Sequence, residues 1–196
     1  MNTVIIQYNA GNIQSVLYAL ERLGVSAIVT DNVEAIQAAD KVIFPGVGEA
    51  STAMHYLKER GLDRVIKNLK QPVFGICLGM QLMCAYSEEN DTTCLGIFEE
   101  QVKAFNPTEA TIKVPQIGWN TISDLKSDLF KGVNEESYTY FVHGYYAALG
   151  NHTIATTNYV QPYSSALHKG NFYGVQFHPE KSAKVGEQII QNFLNL

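Results

Sequence analysis

The chain has 196 residues, 46% of them hydrophobic and 17% charged, which is enough for one sizeable core and too little for two comfortable domains. Its formal net charge of -5, without a Lys/Arg run, argues against a general nucleic-acid or anionic-membrane surface. Cys77, Cys84 and Cys94 are odd in number and lack zinc-ligand spacing with histidine, so neither a disulfide framework nor a metal is expected, and the expected home is a reducing cytoplasm.

The opening "MNTVIIQYNAGN" has no basic region before a long apolar stretch, unlike a signal peptide, and no apolar run approaches the roughly 18 residues of a membrane span. "TVIIQY" reads as a buried strand broken by "NAGN". "IQSVLYALERLG" then puts Val16, Leu17, Leu20 and Leu23 on one helical face. "SAIVT" is a second strand, "NVEAIQAAD" a short helix, and "KVIFPGVG" a strand ending in a turn. Residues 49–69 read as helical with a break near Gly61. "PVFGIC" is a fourth strand feeding "LGMQLMCAYSEE", a fourth helix. Strands alternating with helices predict βαβ units, and so a parallel sheet covered on both faces. Beyond them, "QVKAF", "TIKVPQI", "YTYFVHGYY", "TIATTNY", "SSALHKG" and "FYGVQF" are strand-like runs that predict an antiparallel extension of the sheet. "SAKVGEQIIQNFLNL" is a closing helix. The expectation is one α/β domain spanning 1–196, a mixed, doubly wound sheet.

Ligands of open α/β sheets gather at the carboxyl ends of strands. Two turns fall there, "VFGIC|LGMQ" and "VIFPG|VGEA". Gly75 and Gly79 flank Cys77 as a tight elbow needs if it is to project a thiol without Cβ clashes. The amides of the following helix favour a thiolate and can donate to an oxyanion. Alone, the G-x-C-x-G frame fits a buried structural cysteine equally well; Cys84 and Cys94, which lack it, are read as structural. A nucleophilic thiol needs a base, and among five histidines His178 stands out in "YGVQFHPEKS". There a strand ends, Pro179 stops it, and Glu180 follows at a spacing that could hold the imidazole tautomer. The glycines of "PGVG", Pro45 to Gly48, let backbone approach a ligand and let a peptide reorient. By itself that turn is a routine strand-to-helix connection.

Together "FPGVG", "GICLGMQ" and "FHPEKS" resemble the class I, triad-type glutamine amidotransferases, and the resemblance spans nearly the whole length. It implies a flavodoxin-like fold and no cofactor. It implies L-glutamine as substrate, Cys77 as nucleophile, His178 as proton carrier and Glu180 as its support. It places oxyanion donors at Val47, Gly48 and Leu78, and a glutamine cradle at Gly46, Gly48, Leu78, Gln81, Gly144 and Tyr145. "VPQIGWN" and "YFVHGYY" narrow the resemblance to the branch serving histidine biosynthesis, whose ammonia passes to a separate (β/α)8-barrel cyclase subunit. Asn12, Trp119, Asn120 and Lys181 are the candidates for that partner face, although Trp119 could equally fill the core. Gln7, Asn9 and Gln116 depart from the branch's usual residues, in segments expected near the partner. Rival readings are a glutaminase subunit of another pathway, a regulatory subunit without activity, and a cysteine peptidase on a related fold.

Overall fold

In the computed structural model, which describes residues 1–9 and 11–196, the first half alternates as the sequence predicts; residue 10, within the expected "NAGN" break, lies outside the described residues. β1 (Thr3–Ile6), β2 (Ala27–Thr30), β3 (Lys41–Phe44) and β4 (Val73–Ile76) are parallel strands. They are linked through α1 (Ile13–Arg22), α2 (Val33–Gln37), α3 (Ala50–Glu59) and α4 (Leu62–Asn68). β1, β3 and β4 are buried along their whole length, as apolar strands covered on both faces must be. Their alternation sorts two cores. Val4, Ile6, Val42 and Phe44 pack with Ile36, Met54, Leu57 and Ile66, while Ile5, Ile43 and Phe74 pack with Val16 and Leu20 of α1. Gly61, at φ 67, separates α3 from α4 at the predicted break.

α5 (Leu78–Met83) is shorter than the helix expected to continue to 89. Its last carbonyls turn to a loop instead of the next helical turn: Leu82 accepts from the Leu95 amide, Met83 from Ile97 and Phe98, and Cys84 from Gly96. The freed chain forms β5 (Tyr86–Ser87) and β6 (Thr92–Thr93), and continues through β7 (Gln101–Ala104).

The remaining elements are β8 (Gln116–Ile122), β9 (Ser137–His143), β10 (Tyr145–Ala147), β11 (Thr153–Tyr159), β12 (Gln161–Lys169), β13 (Phe172–Val175) and α6 (Ala183–Asn195). The main sheet runs β2-β1-β3-β4-β13-β12-β10-β7-β5-β6, with β11 also paired to β12. The antiparallel extension is therefore present, but its last strand, β13, lies parallel to β4. β8 and β9 form a separate two-stranded sheet, so "YTYFVHGYY" divides at Gly144 between two sheets. The strand expected over 111–117 starts only at Gln116, where the β8–β9 register begins opposite His143; Pro115 just before it has no N–H to donate. α6 closes over the α1 side, with Phe193 stacked on Phe74 at 4.9 Å. Burying its Ile189, Ile190 and Phe193 contributes about 2 kcal/mol each.

Candidate active site

Cys77 is the single residue between β4 and α5. Its backbone sits at φ 52, ψ -109, a conformation that residues with a Cβ rarely adopt. Surrounding bonds hold it there: its N–H donates to Val175 O at 2.8 Å, and its carbonyl accepts from the Gln81 amide at 3.1 Å. Gly79 is required for close approach, because a Cβ there would run into the Phe44 carbonyl at the end of β3. The elbow predicted from the two glycines is present.

The base arrives by way of β13. Pairing Gly174 with Gly75 and Val175 with Ile76 brings the chain leaving β13 beside the chain leaving β4. His178 is 2% exposed, and its backbone N–H donates to Tyr140 O at 2.8 Å. Ser182 Oγ locks the turn, donating to His178 O at 2.6 Å and accepting from Tyr140 N at 2.9 Å. His178 Nδ1 lies 2.8 Å from Glu180 Oε1. That carboxylate can only accept, so Nδ1 carries a hydrogen and the other ring nitrogen is turned to Cys77. Burial opposes the imidazolium, but the charge of the Cys77 sulfur, the hydrogen bond to it, and Glu180 outweigh that and raise His178 to about 10. The arrangement favours the imidazolium form of His178.

A cavity of about 260 Å³ opens beside the sulfur. Val47, Gly48, Cys77, Leu78, Gln81, Gly144 and Tyr145, all expected at the site, line it. Gly46 lies just behind, and its carbonyl accepts from the Leu78 N–H at 3.2 Å, so one expected oxyanion donor is engaged by protein. Gly48, at φ 140, has the backbone that favours glycine, and Val47 is 39% exposed with its carbonyl accepting from Gly11 N at 3.2 Å. Gln81 Nε2 donates to Tyr145 O at 2.9 Å and to Gln176 Oε1 at 2.9 Å, leaving its own oxygen for a ligand. Gly144 O accepts from Phe105 N at 3.1 Å.

The cavity holds one charged group absent from the sequence reading, Glu89. It falls in the expected tail of α5, which is loop in the structure. Burial raises its carboxyl, against a 2.8 Å bond that Oε2 accepts from the Ala50 amide, with the charge of Glu49 adding to the rise. His143 also lines the cavity, its Nδ1 2.7 Å from Tyr145 O.

The four expected partner-facing residues divide. Trp119 is 53% exposed, so it does not fill the core, and Lys181 is exposed. Asn12 instead turns inward, donating from Nδ2 to Glu180 Oε1 at 2.5 Å. Asn120 bonds within the chain, to Asn158 O at 3.0 Å. Of the departures, Gln116 is 3% exposed and accepts from Tyr163 OH at 3.0 Å, so its side chain is inside the protein; Gln7 and Asn9 are exposed. Among the described residues no group of three or more His, Cys, Asp or Glu is placed to hold a metal ion, and no helix is long and apolar enough to cross a membrane.

Residues 4–196 match the sequence profile of the family described as glutamine amidotransferase class-I. The chain is 61% identical to "Imidazole glycerol phosphate synthase subunit HisH" of Bacteroides fragilis strain YCH46 over 196 residues, covering 100% of both chains. It is 58% identical to the protein of that name from Bacteroides thetaiotaomicron, again covering 100% of both, and 43% identical to the one from Vibrio cholerae, covering 100% of this chain and 98% of the relative. A solved glutamine amidotransferase shares the fold at a TM-score of 0.74 and 18% identity, covering 98% of this chain and 97% of that one. A chain of PurLQS from Thermotoga maritima does so at 0.72 and 15%, covering 99% and 97%.

Proposed function

The chain belongs to the class-I glutamine amidotransferase family, and from that premise we propose that it is the glutaminase subunit of an imidazole glycerol phosphate synthase, acting through Cys77, His178 and Glu180 in one domain of 196 residues. The observation that carries the chemistry is the thiol elbow facing a buried histidine whose far nitrogen is fixed 2.8 Å from a carboxylate.

L-Glutamine enters the cavity with its side-chain amide toward the sulfur. The Cys77 thiolate attacks the amide carbon, and the carbonyl π electrons move to oxygen. Collapse of the tetrahedral intermediate breaks the C–N bond as the His178 imidazolium gives its proton to the leaving nitrogen, which departs as ammonia. Neutral His178 then takes a proton from water, the hydroxide adds to the thioester, and glutamate leaves with the thiolate and imidazolium restored. Glu180 keeps Nδ1 protonated and stabilises the imidazolium. Glu89 suits the α-ammonium of the substrate, since a carboxylate in a small cavity is the natural counter-ion for it.

The Gly46 carbonyl, bonded to the Leu78 N–H, stands where an oxyanion needs donors. Turning the 46–47 peptide withdraws that carbonyl and presents the Val47 N–H, and the flanking glycines permit the turn. The ammonia serves a (β/α)8-barrel cyclase subunit, which makes imidazole glycerol phosphate and aminoimidazole carboxamide ribotide from a phosphorylated ribulosyl-amino-imidazole substrate. The name shared by the bacterial relatives and their full-length identity support this assignment, and with it a cytoplasmic place in histidine biosynthesis. No phosphate-binding loop or basic cluster is present in the sequence, in keeping with a phosphorylated substrate held by the partner.

The test is glutamate release from glutamine by the purified chain, alone and with the cyclase subunit and its nucleotide ligand. Low activity alone and a large rise in the complex are expected. Equal activity with and without the partner overturns the partner assignment, and no activity in either condition overturns the triad.

A further inference from the structure

Gln176 is fully buried two residues before His178, and the triad mechanism leaves it without a task. A chain of one-way hydrogen bonds fixes its orientation. The Tyr145 carbonyl can only accept, so the Gln81 amide must turn its Nε2 toward it. The same Nε2 donates to Gln176, which must therefore present Oε1 on that side. Gln176 Nε2 is left aimed at Cys77 Sγ, 3.6 Å away. The backbone is held too, by a 2.9 Å bond from Gln176 N to Ser165 O.

The sulfur has another polar neighbour, the Val142 carbonyl at 3.8 Å. That oxygen repels a thiolate and favours S–H. The titratable groups around the sulfur are His178 with Glu180 behind it, Tyr8 and Tyr163, which burial keeps neutral, and His143 and Glu89 on the cavity wall. His178 supplies charge from one side only. Gln176 is an uncharged donor that touches the reacting atom and is not consumed in the proton transfers.

We propose that Gln176 is a catalytic residue: its orientation-locked amide donates to the Cys77 sulfur and holds it as the thiolate against the Val142 carbonyl. Because Gln81 lines the cavity, the same bonds connect the substrate's seat to the sulfur. This inference rests on Cys77 being the nucleophile.

The experiment follows alkylation of Cys77 by iodoacetamide in the full chain, read by peptide mass spectrometry. One charge-assisted hydrogen bond corresponds to about tenfold in the thiol–thiolate equilibrium, so Gln176→Met should react more slowly than wild type at pH 7, by up to about tenfold. The difference should narrow as the pH is raised, because alkali drives the thiol to thiolate in both proteins, a pattern that a merely structural role does not produce. Buried Cys84 and Cys94 staying unreactive reports that the variant is folded. If Gln176→Met fails that control, Gln176→Glu decides. It has nearly the same volume but presents an acceptor when ionised, and should also slow the reaction at pH 7. Wild-type rates at pH 7 in a folded variant overturn the proposal. Parallel labelling with 6-diazo-5-oxo-L-norleucine, a glutamine-mimicking electrophile, separates the two readings. Wild-type Cys77 that takes iodoacetamide but ignores this reagent removes the glutamine reading and leaves the Gln176 comparison standing.

Discussion

Two carboxylates stand near one thiol, and their surroundings set them to different work. Glu180 is buried against His178 and Asn12, with Oε2 unpartnered among the described residues, so its influence passes through the imidazole. Glu89 faces the cavity. Removing each should leave a different kinetic signature. Cys77→Ala and His178→Ala should abolish glutamate release, while Glu180→Ala should retain roughly ten- to a hundredfold more activity than His178→Ala, because it only orients and supports the base. Glu89→Gln should raise KM for glutamine about tenfold with kcat nearly unchanged, since it removes a contact made equally in ground and transition states. Steady-state assays of the activated complex read all four variants. A fall in kcat with unchanged KM for Glu89→Gln would place it in the chemistry instead.

At the scale of elements, β9 and β10 present a second buried histidine with the opposite setting. Burial holds His143 down to about 4; its bond to the Tyr145 carbonyl works the other way, and the charge of His178 adds to the depression. In the unfolded chain histidine binds its proton near 6.5. Between about 6.5 and 4 the unfolded state therefore holds the extra proton, so this contribution is complete above 6.5 and is lost as pH falls through that window. The loss amounts to about 3 kcal/mol. Urea unfolding should show a smaller drop between pH 7 and pH 5 in His143→Gln than in wild type, and equal drops would exclude His143 as the source. The elements differ in how far the sequence discloses them. The elbow is legible because tight backbone leaves a chemical trace, Gly75 and Gly79 about a lone cysteine. His178 is legible because Pro179 marks a strand end. The end of α5 is not, because "CAYSEE" continues a helical pattern while distant amides from residues 95–98 capture its carbonyls. Glu89 is silent for the same reason, since a helix continued to residue 89 gives no sign that its carboxylate lines the cavity. The parallel pairing of β13 with β4 is equally silent, since nothing local in "FYGVQF" states its neighbour.

At the scale of the whole molecule, the β8–β9 sheet carries Ile117, Trp119 and Tyr138, 64%, 53% and 61% exposed. Their register puts them on one face, Trp119 opposite Tyr140 and Ile117 opposite Val142. Val142 belongs to the strand that passes the sulfur, so a partner seated on this face would touch the strand that helps line the cavity. Trp119→Ala should weaken binding of the cyclase subunit by tenfold or more, in line with aromatic anchors at interface centres, and leave the melting temperature of the isolated chain within about 2 °C. Calorimetric titration and thermal unfolding check the two halves; unchanged affinity would move the partner face elsewhere.

The parallel seating of β13 beside β4 also sets a clock. In the order of synthesis, 99 positions separate the thiol from the amide that faces it, and His178 follows later still. At about 5–20 residues per second that interval lasts on the order of ten seconds. Throughout it, a ribosome-bound chain carries an ordinary cysteine with neither base nor donor beside it. A chain that ends before residue 176 therefore holds the thiol without the base and the donor that complete the site.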